Sequence, residues 1–218
     1  IAKETIDFSH FIELKRRDIP LVFFDRANDD LKIPSVVVDD FKGAFMATEH
    51  LITRGYKRVA HISGPLHVKI FADRLAGYKA ALKKHGIKFE SQLVYKGDIS
   101  IDSGKDAVAY FFSLPVPPDA AFVAEDFTAL GLIKGLTERK IKIPDAFGVI
   151  GFANEGFDEY ITPSLSSVDQ QTVQMGKEAF GLLMEIIEGN DRKKAIRHQA
   201  KIILEPILCI RESSQGKK

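Results

Sequence analysis

The sequence predicts an α/β fold, and three observations carry that prediction. Short runs rich in β-branched and aromatic residues alternate with segments of helical period along the 218 residues. Most of these runs are apolar throughout, as strands covered on both faces must be. Glycines such as Gly55 and Gly86 fall where the helical periods end, as expected of helix C-termini. Strands of this kind alternating with helices imply parallel sheets built through right-handed crossovers.

In chain order, Pro20-Leu21-Val22-Phe23-Phe24 and Ser35-Val36-Val37-Val38 read as strands, and residues 42–54 read as a helix that Gly55 stops. The next cycle has Arg58-Val59-Ala60-His61-Ile62 as a strand, 70–85 as a helix closed by Gly86, Leu93-Val94-Tyr95 as a strand and 102–114 as a helix. Ala120-Ala121-Phe122-Val123-Ala124 leads into a helix over 127–140, followed by the strand Gly148-Val149-Ile150-Gly151-Phe152 and another that ends at Val168. A helix over 172–188 and an extended stretch over 202–211 complete the pattern. On that late helix Val173, Gly176, Phe180, Leu183 and Ile187 share one face at i, i+3, i+4 spacing, and this face is expected to meet the core.

Composition narrows the function classes. The chain is 45% hydrophobic, enough for one large or two smaller cores, and Lys+Arg 31 against Asp+Glu 30 leaves a formal charge of +1. No global positive field draws such a chain to nucleic acid. Cys209 is the single cysteine, which excludes an internal disulfide and fits a reducing, cytoplasmic setting. No apolar run is long enough to span a bilayer, so no membrane partner is expected. The chain opens on Ile1 rather than Met, and we read it as part of something longer.

In open α/β sheets ligands bind beyond the carboxyl ends of the strands, where the strand order reverses. That rule selects Asp25-Arg26, Asp39-Asp40, the loop from Gly64 to Asp73, Gly97-Asp98-Ile99, Glu125-Asp126, Ala153-Asn154-Glu155 and Asp169-Gln170. Caps and turns also favour Asp, Asn and Ser, so each polar residue has a purely local reading beside the functional one. Arg74 stands out because it lies near the start of a helix, where unpaired N–H groups already concentrate positive charge. It needs an anionic or hydrogen-bonding partner: Asp73, Asp98 or Glu125, or a bound ligand.

Enzyme signatures are missing. There is no Gly-x-Ser-x-Gly or His-Glu-x-x-His, and residues 97–105 have the wrong glycine spacing for a phosphate loop, with Asp106 where Ser or Thr is required. His10, His50, His61, His67, His85 and His198 show no metal-ligand spacing, and no cofactor motif is present. The basic run Arg192-Lys193-Lys194 with Arg197 reads as a solvated loop.

Five stretches, SVVVDDFKGAFMATEHLITRGYKRVAHISGP, DRLAGYKAAL, FVAEDFTALGLIKGL, IPDAFGVIGFANEGF and TPSLSSVDQQTVQMGKEAF, occur in this order along the chain. Together they resemble the effector-binding domain of the LacI/GalR family of bacterial transcription regulators, over residue 1 to about 212. The resemblance implies a periplasmic-binding-protein-like fold of two α/β lobes with a small-molecule effector, a sugar or sugar derivative, in the cleft. The first lobe, incomplete here, is expected from 1–37 and 171–197, and the second from 38–170 and 198–212. It also implies a homodimer, and operator DNA contacted through an upstream helix-turn-helix head outside this chain. The same fold serves solute-binding proteins of transporters, and a sugar-metabolising α/β enzyme is the alternative from another class.

By this resemblance the effector residues are Asp25, Ile70, Arg74, Ile99, Glu125, Ala153 and Asn154. Arg74 would offer a planar fork to paired oxygens of the ligand. Three positions depart from the pattern of sugar-responsive members. Glu125 replaces an Asn, Ala153 replaces an Asp, and Ile99 replaces a stacking ring. A buried unpaired carboxylate is costly, so Glu125 is expected to pair with Arg74 or with a donor on the effector.

Overall fold

A computed structural model describes residues 5–189 and 200–216. In chain order the elements are α1 (Ser9–Arg16), β1 (Phe23–Phe24), β2 (Ser35–Val38), α2 (Asp40–Thr53), β3 (Val59–Ser63), α3 (Lys69–Lys84), β4 (Val94–Lys96) and α4 (Ile101–Ser113). They continue with β5 (Ala120–Val123), α5 (Asp126–Glu138), β6 (Gly148–Ala153), β7 (Ser166–Asp169), α6 (Thr172–Glu188), β8 (Lys201–Leu204) and β9 (Ile207–Cys209). The chain divides into two compact units, Ile1–Asp39 with Gln171–Glu205 and Asp40–Gln170 with Pro206–Lys218.

The first unit is a three-stranded parallel sheet in the order β1-β2-β8, with α6 packed on β1 and β2. Among the described residues its core is small: Phe23, Ile33, Val36 and Val38 from the sheet region, beside the buried Pro34 and Ser35, and Met175, Ala179, Leu182 and Ile186 from α6. These last four correct the expected core face of the late helix. Val173 and Phe180 are 72% and 66% exposed and Ile187 is also exposed, because the sheet meets the adjacent stripe. Helix α1 was not anticipated, and it buries no residue at all. Its Lys15 ammonium reaches the Leu31 carbonyl at 2.8 Å.

The C-terminal extended stretch also differs from expectation. It breaks around Glu205-Pro206 into two strands, β8 pairing parallel with β2 and β9 antiparallel with β7. Residues 201–205 therefore belong with the first unit, although the sequence reading placed all of 198–212 in the second lobe. The basic run at 192–197 and His198 lie outside the described residues.

The second unit is a six-stranded sheet in the order β4-β3-β5-β6-β7-β9, parallel except for its last strand. Each strand sends alternate residues to opposite faces. Ala60, Ile62, Ala121, Val123 and Val149 join Val108, Phe111, Leu132 and Leu136 of α4 and α5 in one core. The other face is covered by α2 and α3, where the His61 ring stacks between Tyr78 and Phe122 at 5.2 and 4.9 Å. Helices α4 and α5 cross closely enough that a Cβ on Gly104 would meet the Thr128 carbonyl at 2.1 Å, and one on Gly131 the Ile101 carbonyl at 1.9 Å. Any larger residue there would force the helices apart.

The chain after β9 is pinned by buried hydroxyls. Ser213 Oγ donates to the Val149 carbonyl at 2.7 Å and accepts from Ser166 N at 2.8 Å, while Ser214 Oγ lies 2.9 Å from His50 Nε2. These bonds satisfy polar groups that would otherwise be stranded in the interior.

Candidate functional site

The strand order of the second unit reverses at β3, with β4 on one side of it and β5 on the other. The carboxyl ends of β3 and β5 therefore form the switch point at which this class of sheet binds ligands. Arg74, on the second turn of α3, is there and is only 2% exposed. Its Nε donates to Asp40 Oδ1 at 2.8 Å, and its Nη2 lies 2.7 Å from the same oxygen. Nη1 donates to the Ala124 carbonyl at 2.6 Å and Nη2 to Gln170 Oε1 at 3.2 Å. The guanidinium lies over the Phe152 ring, 3.6 Å from its centroid, a face-on placement that favours a delocalised cation.

Arg74 thus has an anionic partner, and it is Asp40. Asp73 pairs instead with Lys69, and Glu125 does not take the role expected of it. Glu125 is the N-cap of α5, accepting from Phe127 N and Thr128 N at 3.0 Å each and from Thr128 Oγ1 at 3.2 Å. Both its oxygens are satisfied locally, which removes the cost that would have driven it toward Arg74. Asp40 and Gln170 follow strands, so the strand-end rule had selected them, but nothing in the spacing singled them out from their neighbours.

Beside the arginine lies a small apolar cluster. Ile70, Phe71 and Ala124 are buried and pack with Val68 and the half-buried Ile99. A Cβ on Gly64 would meet Ile99 Cδ1 at 2.7 Å and the Phe71 ring at 2.8 Å, so the loop after β3 is drawn tightly onto this cluster.

At the end of β6 two successive residues have positive φ, Ala153 at 144° and Asn154 at 58°. Such backbone costs on the order of 1–3 kcal/mol per residue and persists where the surroundings over-determine it. Here they do. Asn154 N donates to Ser167 Oγ at 3.0 Å, its Nδ2 donates to Asp169 Oδ2 at 3.1 Å, and its Oδ1 accepts from Arg211 Nη2 at 2.8 Å. Asp25 sits in the first unit, also at positive φ (61°), with its N–H on the Val36 carbonyl and Arg26 3.6 Å from its carboxylate.

Sequence reasoning selected Asp126 only as one strand-end residue among several and did not select Asp158. Asp126 and Asp158 are both fully buried, and burial pushes each carboxyl above its ordinary value. Asp126 was legible as a residue after a strand; Asp158 lies in an irregular loop and carried no signal. Among the described residues no group of three or more His, Cys, Asp or Glu could hold a metal ion. The polar groups at this edge are bonded within the protein, beside an apolar wall, in the region where such sheets take ligands.

Residues 48–214 match the family described as "Periplasmic binding protein-like domain". The chain is 32% identical to the HTH-type transcriptional repressor CytR of Escherichia coli over 184 residues, 84% of this chain and 54% of that protein. It therefore spans about half the length of the curated relatives it matches. Among solved structures, transcription regulator CcpA of Lactococcus lactis superposes with a TM-score of 0.86 at 29% identity, covering 97% of this chain and 75% of that one. A complex of the transcriptional regulator CelR with cellobiose superposes with a TM-score of 0.82 at 30% identity, covering 92% and 60%. The chain belongs to the family of periplasmic binding protein-like domains, and the proteins it resembles over that domain are LacI-family transcription regulators.

Proposed function

We propose that the chain senses a small-molecule effector, a sugar or sugar derivative, and that in the whole protein this sensing controls repression through a DNA-binding segment outside these 218 residues. The observation that carries the reading is Arg74, held rigidly by Asp40, Ala124 and Gln170 at the strand ends where such sheets take their ligands. Ile70, Ile99, Glu125, Ala153 and Asn154 are proposed as effector contacts of the second unit, and Asp25 as one of the first. CelR is described in complex with cellobiose, which supports the sugar class. An effector that favours one arrangement of the protein over another shifts that equilibrium by its differential affinity, and this would couple sensing to DNA.

The proposal extends to a cytoplasmic homodimer. Phe127 at the start of α5 is exposed and contacts the Phe157 ring at 4.9 Å, and Tyr160 nearby is 86% exposed. Farther along α5, Leu132, Ile133 and Leu136 are consumed by the protein's own core, so the exposed aromatics support a subunit contact more than the body of the helix does.

The test is a thermal-shift screen of neutral sugars, sugar phosphates and amino sugars, since a ligand that binds the native state raises its melting temperature. Common neutral hexoses are expected to have no effect on the natural sequence, because the chain lacks a side-chain acceptor at Ala153. Glu125→Asn with Ala153→Asp is expected to gain binding of a neutral sugar. Stabilisation of the natural sequence by plain glucose or galactose would overturn that specificity, and failure of every compound would count against effector sensing.

A further inference from the structure

The Asp126 and Asp158 carboxyls are both wholly shielded from solvent. Asp126 lies against β6, since a Cβ on Gly151 would stand 1.9 Å from its Oδ1. It has donors: Ser167 Oγ is 2.9 Å from both oxygens and Glu155 N is 3.2 Å from Oδ2. Asp158 has none: among the described residues no N–H or hydroxyl bonds either of its oxygens. Arg211 is its nearest cation, with Nη1 3.9 Å away, but Nη1 is spent on the Leu165 carbonyl and Nη2 on Asn154 and Glu159.

An ionised, donor-free carboxylate in such a place would be prohibitively costly. What faces Asp158 is the Asp126 carboxyl, within hydrogen-bonding reach. Two carboxylates repel; a carboxylic acid and a carboxylate bond. We infer that Asp158 carries a proton at neutral pH and donates it to Asp126, so that one shared proton fastens the 154–165 loop to the start of α5. Through Ser167, which accepts from Asn154 N while bonding Asp126, the same proton steadies the strained end of β6.

The charged groups around the pair are Arg211, which opposes protonation of Asp158, and Glu155 and Glu125, which favour it at Asp158 and Asp126 respectively. Burial is the first cause at each carboxyl, and at Asp158 the Asp126 charge is the next. Asp126 is raised to about 6 and Asp158 to about 8, from 3.8. The native state thus keeps protons that the unfolded chain has released, and the stability they represent, complete below 3.8, is lost as pH rises through those two values.

The first measurement is infrared spectroscopy of the unaltered chain. A C=O stretch of a protonated carboxylic acid is expected at pH 7 and should fade between pH 7 and 9; its absence at pH 7 overturns the inference. The second compares melting temperatures at pH 7 and 8.5. The natural sequence should lose roughly 5 °C over this interval, as one linked proton implies. Asp158→Asn, whose amide donates to Asp126 at any pH, should lose the infrared band and most of that drop. An equal alkaline drop in Asp158→Asn would also overturn the inference. If that variant fails to fold, the infrared titration of the natural sequence decides alone.

Discussion

The two units obey the same packing rules with very different success at covering their own apolar surface. In the second, the strand β5 is wholly buried and both sheet faces are roofed by helix pairs. In the first, a three-stranded sheet and α6 leave Ile6, Ile12, Ile19, Phe24, Val173, Phe180, Ile187 and Ile203 exposed, as many large apolar side chains as the second unit exposes over about twice the residues. The difference shows that apolar periodicity reports a capacity to be buried, and that burial itself depends on which neighbours are present.

The largest expected effects lie in the second unit. Phe122→Ala empties a site flanked by His61 and Phe152 and should cost about 3–5 kcal/mol in chemical denaturation. Arg74→Ala belongs with it: breaking the buried charge pair with Asp40 should cost about 3–5 kcal/mol. A loss of effector affinity in that variant would therefore have to be measured on protein shown to be folded. Adding Asp40→Ala should recover part of the lost stability, and no recovery would mean that the pair is not coupled.

On α6 the contrast can be drawn within one helix. Met175→Ala, on the buried stripe, should cost roughly 2–5 kcal/mol, whereas Phe180→Ala, on the exposed one, should stay within about 0.5 kcal/mol. Equal costs at the two positions would show that the exposed stripe is covered in solution.

A pH titration separates the units next. His61 is wholly buried, with Nδ1 on the Phe122 carbonyl at 3.0 Å and Nε2 unbonded. Burial is the main reason that its pKa falls from 6.5 to about 4. The unfolded chain takes up a proton that the native state refuses, so the stability present above pH 6.5 is lost as pH falls toward 4, by about 2–3 kcal/mol. His61→Phe should flatten that acid arm. A small effect of the opposite sign is expected from Ala153→Gly, which relieves the strained φ and should stabilise the second unit by about 0.5–1 kcal/mol, visible as a small rise in melting temperature.

Much of the second unit was legible in the sequence because its strands are short, apolar throughout and followed by periodic helices. Val59–Ser63, Ala120–Val123 and Gly148–Ala153 fall on or within a residue of where the residues put them, as does Ser35–Val38 of the first unit. Helix α1 was missed because eight residues that bury nothing leave no apolar stripe to read. For Arg74 the sequence announced a cation in need of a partner, and the strand-end rule selected the region where the partner lies.

By itself, then, the sequence determined the alternation of strands and helices, the class of sheet, the family and the edge on which a ligand would be sought, because all of these follow from local periodicity and from motifs. The tertiary structure alone decided which stripe of α6 faces the sheet, that β8 and β9 part company, that Asp40 holds Arg74 and that Asp158 meets Asp126. Each of these is a pairing between residues distant in sequence or a choice between two equally apolar or polar faces. Such outcomes are fixed by which surface or charge is close enough to complete the contact, and spacing along the chain does not encode that distance.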